Sequence, residues 1–463
     1  NANGALNEDG SSFTPWIPMN VSSNVTLTFD GNGHTISGLY FNKESSADKG
    51  LFGQVTGNVS ISNLGVVDFY VKGEDRVGSL AGQVTGKLNI ENCFSAGYVE
   101  GDTYVGGFVG LNRDNAELNI ENSYNESSVN ASSGAVGGLV GGNYNYASLT
   151  IANSYNVGAV SGNDYVGGLV GDNDSGTLNV SNSYNVGVVT ASKTIAGGLV
   201  GGDEFGTLNI SNSFFVETNG DGDTLGGVVK TPDEFANGEV TDLLNTDQSP
   251  IVWVQGKEYP ILKDNHVHLY ENGFCICGNY EQPVQDENEV YLIANAGNLY
   301  WFANFVNQGG DNDSANAVLT SDIVVNENVL NDDGSLVTGV IFREWTPIGL
   351  YNYDYSQGDL SISYSGKFDG QGHIVSGLYL NNANKDGVGL FGCISDSSSI
   401  QNVRIVDSYF YGKDCVGGVC GVNKAEKIKN CFSSATVIGN SMIGGVCGNM
   451  QMSSVENCYN IGL

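Results

Sequence analysis

The sequence predicts an all-β chain: two consecutive right-handed parallel β-helices with short helical caps and a linker. Three observations predict it. First, a glycine phrase, typified by Val136-Gly137-Gly138-Leu139-Val140-Gly141, returns at Val77–Gly82, Val105–Gly110, Val166–Gly171, Ala196–Gly201 and, degraded, Leu225–Lys230. Its steps run from 28 residues (77 to 105) to 31 (105 to 136), a period that belongs to solenoids, propellers and arrays. Second, the residues between phrases form short alternating runs bounded by Asn or Gly, the strand signature. Third, a large block occurs twice. Phe368-Asp369-Gly370-Gln371-Gly372-His373 repeats Phe29–His34 at an offset of 339 (30 to 369), and Gly389–Gly392 repeats Gly50–Gly53.

Strands are expected from Phe13, through Trp16-Ile17 and Val25, Leu27 and Phe29, with a turn at Asp30–His34. Each later unit reads as three short strands: the glycine phrase, a second run such as Leu149–Tyr155, and a third such as Val157–Val160. One coil per unit stacks like residues about 4.8 Å apart. On that basis Asn92, Asn122, Asn153, Asn182 and Asn212, with Asn430 and Asn457 later, are expected as an inward amide ladder. Strict alternation then puts Phe94, Tyr124, Tyr155, Tyr184 and Phe214 on the face of the Asn column, and Ser123, Ser154, Ser183 and Ser213 on the other. The aromatic column is either structural filler or a set of sugar platforms.

Thr231-Pro232-Asp233-Glu234 reads as a helix N-terminus. Phe235, Val240, Leu243 and Leu244 supply an apolar face. With Trp253 and Tyr259–Leu262 this segment is expected to cap the open end of the first solenoid. Residues 1–262 thus form the first module, 263–290 a polar linker, and 291–463 the second module. Ala296 to Gln308 is expected as a helix, with Leu299, Phe302, Phe305 and Val306 on one stripe, capping the second solenoid's start.

The linker holds His266, His268, Cys275 and Cys277. Two imidazoles and two thiols are a zinc donor set, although one residue between the cysteines is fewer than the usual two to four. The alternative is a small knot without metal. The remaining cysteines fall in strand phrases. Cys420 with Cys447, and Cys431 with Cys458, are 27 apart and so are expected as neighbours on adjacent coils, either as a bridge or metal ladder or as small apolar filler. Acid pairs in Asp172-Asn173-Asp174 and Asp221-Gly222-Asp223 leave room for calcium. His34 and His373 lie beside Asp30 and Asp369, but no nucleophile recurs in register, and no catalytic constellation is found.

The formal charge is −33, from 51 acids against 18 bases. Such a chain repels nucleic acid and anionic membrane surfaces. No signal peptide or apolar run of transmembrane length is found, and the chain reads as an excerpt of a longer protein.

The glycine phrase followed by a strand ending Asn-Ser-Tyr resembles the GLUG motif over roughly residues 29–229 and 368–463. That motif occurs in tandem in bacterial surface proteins, including some IgA-peptidase-like and filamentous-haemagglutinin-like proteins. The resemblance implies a secreted or wall-attached bacterial protein with a right-handed β-helix fold. Its partners would be a host surface protein or glycan, or neighbouring copies in a surface assembly. The zinc-peptidase signature His-Glu-x-x-His is absent, so protease activity is not carried over. The expectation is a non-enzymatic adhesin or stalk, set against a carbohydrate-active or glycan-binding β-helix or the non-catalytic part of a secreted peptidase.

Overall fold

The structure is a computed structural model. It describes residues 13–463 apart from 44, 194–195, 217–224, 267, 269, 355, 357, 396–397, 425–426 and 452. The chain is nearly all β, and its parallel strands stack into β-solenoids. It divides into two compact units, Asn1–Val267 and His268–Leu463.

In the first unit, two 7-stranded parallel sheets carry equivalent strands from successive coils. One of them runs through Lys87–Glu91, Glu117–Glu121, Ser148–Ala152, Thr177–Ser181 and Thr207–Ser211, residue on residue without slip. Each repeat holds more strands than the three expected. The glycine phrase itself splits into two, Val136–Gly137 and Val140–Tyr144, with a corner between them. Backbone approach forces that corner to be glycine. A Cβ on Gly137 would lie 2.1 Å from the Val140 carbonyl, and one on Gly138 would lie 2.1 Å from the Gly168 carbonyl of the next coil. Between these glycines Val136, Leu139 and Val140 are fully buried in the core. The phrase is therefore a corner plus its three core plugs.

The Asn column expected to point inward sits elsewhere. Asn92, Asn122, Asn153, Asn182 and Asn212 all adopt left-handed backbone, φ 44–52°, and are only half-buried. Asn tolerates this region better than other non-glycine residues. The left-handed residue turns the chain at a corner and breaks the two-residue alternation on which the expectation rested. The serine after it consequently points inward: Ser123, Ser154, Ser183 and Ser213 are buried, each at 1% exposure or less. Their hydroxyls accept the backbone N–H one coil back, from Cys93, Ser123, Ser154 and Ser183, at 3.0–3.2 Å. Each also donates to the carbonyl two residues before it. Cys431 and Cys458 occupy the same station in the second unit, where the Cys431 N–H meets Cys458 Sγ at 3.2 Å. None of the nine cysteines is in a disulfide.

The buried amide ladders use other asparagines. Asn112, Asn143 and Asn173 bond in series at 2.8 and 2.7 Å and end on Asp203 at 2.6 Å. Asn125, Asn156 and Asn185 form a second column at 2.7 and 2.8 Å. Each amide from Asn143 and Asn156 onward donates up the stack or to a backbone carbonyl and accepts from below, while the Oδ1 of Asn112, at the foot of its column, is buried without a partner. Along the corner, Asn92 donates to Asn63 at 3.2 Å and Asn212 to Asn182 at 2.7 Å. Asn430 and Asn457, which are exposed, link to Asn402 and Asn430 at 3.1 and 3.3 Å.

The expected terminal cap of the first solenoid is a lateral strap. It begins with α1 (Pro232–Ala236), entered by a capping box between Thr231 and Glu234, and continues through α2 (Glu239–Leu244). The Leu243 carbonyl accepts from Asn212, Gln248 donates to Asn153, and Asn265 donates to the Asn122 carbonyl. The segment thus runs backward over the coils it has just left. Beneath it lies the aromatic column, with rings of Phe94, Tyr124, Tyr155 and Tyr184 spaced 5.2, 4.9 and 4.9 Å and stacked with nearly parallel planes. Phe235, Val240, Leu244, Trp253 and Leu262 cover it, and the Tyr184 hydroxyl donates to the Pro260 carbonyl. Burial drives the Tyr155 and Tyr184 hydroxyls well above the usual tyrosine range. The Tyr124, Tyr155 and Tyr184 rings are buried and out of a sugar's reach, while Phe94 at the end of the column is half-buried.

The second unit is built on a 6-stranded parallel sheet from Tyr291–Ile293 to Ser454–Glu456. The helix α3 (Ala296–Val306) packs on its core, with Leu299, Phe302 and Val306 fully buried. Phe302 meets the rings of Phe368 and Tyr364, and Tyr300 meets Trp345 edge-on at 5.1 Å. Phe305, expected on the same stripe, lies on the helix shoulder and is only half-buried.

Candidate functional site: an aromatic cleft and a His/Cys knot

Two features of the second unit are built from one short stretch of chain. Tyr270–Glu271 and Phe274–Cys275 form an antiparallel hairpin. Its turn is Asn272-Gly273, both with positive φ (49° and 77°), the strongest short hairpin signal in a sequence. The tip docks on the start of α3: Gly297 N–H donates to the Asn272 carbonyl at 2.9 Å, and Asn298 donates to the Glu281 carbonyl at 2.9 Å. Phe274 is wedged against Tyr280 and Tyr300, under the guanidinium of Arg343 at 3.8 Å.

Between this hairpin and α3 opens a cleft of about 410 Å³. One wall is Tyr270, Asn279, Tyr280 and Gln282. The other is Trp301, Asn304, Phe305 and Gln308. Positions 301, 304, 305 and 308 follow the i, i+3, i+4, i+7 spacing of one helix face, the face opposite the buried stripe. Trp301 and Phe305 stack at 4.9 Å and 14°. The lining therefore offers aromatic faces and four primary amides. Among the described residues that line it, none carries a carboxylate or a formal charge. Burial raises the Tyr270 hydroxyl above its ordinary range, so it is a neutral donor. The sequence reading passed over this cleft. Its available signal was the outer stripe Trp-x-x-Asn-Phe-x-x-Gln on a helix whose inner stripe was already accounted for.

Of the four His/Cys residues in the stretch 266–277, the three in the second unit converge: the ligand atoms of His268, Cys275 and Cys277 lie within 4.8 Å of one another. His268 Nδ1 is 3.3 Å from Cys275 Sγ and 3.5 Å from Cys277 Sγ. The single-residue gap between the cysteines, which counted against a shared site, is overcome by a tight turn. Gly278, at φ 91°, donates its N–H to the Cys275 carbonyl at 2.9 Å. His266 Nδ1 is 2.8 Å from the Leu262 carbonyl.

The acid pair Asp172 and Asp174 presents no oxygen cage. Asp172 is 3% exposed and accepts the Tyr144 hydroxyl. Burial, reinforced by Asp174 and Glu204, pushes its carboxyl up to about 6. Asp221 and Asp223 lie outside the described residues. His373 Nδ1 contacts Asp322 at 3.1 Å, while the Asp30 and Asp369 carboxylates brace their own turns. Among the described residues no helix is long and apolar enough to cross a membrane.

No family model matches the chain. A 101-residue stretch is 35% identical to halomucin of Haloquadratum walsbyi, spanning 22% of this chain and 1% of halomucin's own length. A solved crystal structure is similar over 54% of this chain and 82% of its own, at 23% identity and a TM-score of 0.42. It is a Bacteroides ovatus protein provisionally described as an immunoglobulin A1 protease.

Proposed function

We propose that the chain is a non-enzymatic part of an extracellular surface protein, and that it binds neutral oligosaccharide in the cleft beside α3. The observation that carries this reading is the lining: stacked rings and four amides, with no carboxylate. Sugar rings offer apolar C–H faces to aromatic planes and hydroxyls to amides, which both donate and accept. Polysaccharide hydrolysis needs a pair of carboxylates astride the scissile bond, and the cleft has none. The net charge of −33 argues against a polyanionic ligand. The GLUG-like repeats support a surface location, with host glycan as the adhesion target and the solenoids as scaffold.

The test is a glycan array on the full chain, followed by titration of the best hit. Trp301→Ala should weaken binding at least tenfold, about 1.4 kcal/mol, and Tyr155→Phe should leave it unchanged. Absence of any neutral glycan hit would overturn the binding reading. Turnover of a bound polymer would overturn the non-enzymatic one.

A further inference from the structure

We propose that His268, Cys275 and Cys277 bind a single zinc ion. Three points carry this, independently of the glycan reading. The donor set is one imidazole and two thiols, a combination that binds zinc and leaves the fourth position to a further ligand such as water. Bond lengths for tetrahedral zinc place a nitrogen and a sulfur ligand about 3.5 Å apart. The observed separations of His268 Nδ1 from the two sulfurs are 3.3 and 3.5 Å. All three ligand atoms already lie within 4.8 Å of one another, so closing on an ion requires only small side-chain movement.

The site also answers a structural need. Residues 270–282 form a hairpin and a turn with few apolar anchors, chiefly Phe274 and Tyr280. Small elements of this kind are commonly held by a metal or a bridge. An ion on Cys275 and Cys277 would fix the turn at Gly278 and, through it, Asn279 and Tyr280 of the cleft wall. The chemistry is balanced by proton release: each thiol that ligates gives up its proton to solvent on binding.

The experiment uses the full chain, reduced and freed of metal, with Zn²⁺ and Co²⁺ as probes. One Zn²⁺ per chain should survive dialysis, and the Co²⁺ form should show the intense absorption of a tetrahedral thiolate site. C275S/C277S should lose both signals, while C431S/C458S should keep them. Binding of Co²⁺ with only weak octahedral bands would overturn the proposal, as would retention of metal by C275S/C277S. So would a Cys275–Cys277 disulfide, seen as a mass two hydrogens lower, that persists in the protein as secreted. The wild-type Co²⁺ spectrum decides the matter even if the double variant fails to fold. Glycan titration with and without Zn²⁺ is a separate arm, so a failed cleft and a failed metal site give different results.

Discussion

The Phe-Asp-Gly-x-Gly-His turn occurs twice, and the two copies differ only in their surroundings. In each, the aspartate accepts the N–H two residues on, at 2.9 and 2.8 Å, and an asparagine amide from the next coil, at 3.0 and 2.8 Å. Residues 32 and 371 are left-handed in both, at φ 49° and 51°. The Asn63 amide holds the Asp30 carboxyl below its usual range. At Asp369 burial opposes this, yet bonds from Asn402 and the Gln371 N–H still win. The neighbouring aromatics diverge, however. Phe29 and Trp16 are half-buried, whereas Phe368 and Trp345 are sealed under α3 and its attendant strands. Local sequence writes the turn, and the element stacked upon it decides how much each core residue is worth.

The largest expected effect follows directly. Phe368→Ala should destabilise the second unit by about 3–5 kcal/mol, the range for deleting a fully buried phenyl ring. Phe29→Ala should cost no more than half of that in the first. Hydrogen exchange read unit by unit measures both, and equal losses would refute the comparison.

A second contrast lies one strand further on. Asp172 in the first unit corresponds to Val422 in the second, both buried. The folded pKa of Asp172, about 6, exceeds its unfolded value of about 3.9. The native state therefore holds the proton more tightly, so the stability contributed by Asp172 is full below pH 4, falls as pH rises through 6, and is lost above. The slope amounts to as much as about 3 kcal/mol. Asp172→Asn should abolish it and leave the first unit more stable at pH 7, with the second unit unmoved. A stability difference between the wild type and Asp172→Asn that does not change with pH would refute this.

The smallest effect concerns the strap. Thr231→Ala removes the capping box of α1 and should cost about 1 kcal/mol, confined to residues 231–262. Proteolysis within that segment should rise while the coils beneath stay protected. Uniform loosening of the whole unit would mean that the strap and solenoid unfold as one.

The solenoid was legible because its period, its glycines and its duplicated block are all local features of the sequence. The helix start at Thr231-Pro232 and the helix from Ala296 appear where the residues place them, whereas the corner inside the glycine phrase reads in the sequence as part of one strand. Parity along the second strand was not legible. One left-handed asparagine per coil reverses which side chains face inward, and nothing in the pattern of Asn-Ser-Tyr distinguishes a turn from a strand residue. The strap's placement was hidden too. Its apolar face fits either an open coil end or an aromatic flank, and only the buried Tyr column selects the flank. In the His/Cys stretch the residue types were visible, but their spacing did not show that the turn at Gly278 sets Cys275 and Cys277 both close to His268.

The serine column has a bearing on how such a chain grows. Each coil lends a hydroxyl to the amide of the coil before and borrows one from the coil after, always in the same sense. Inserting one more coil of about thirty residues therefore consumes one acceptor and supplies one, and the count of unmet groups at the two ends does not change. A gene that stutters in whole coils keeps the relay intact inside the stack, whereas a stutter of a fraction of a coil breaks it.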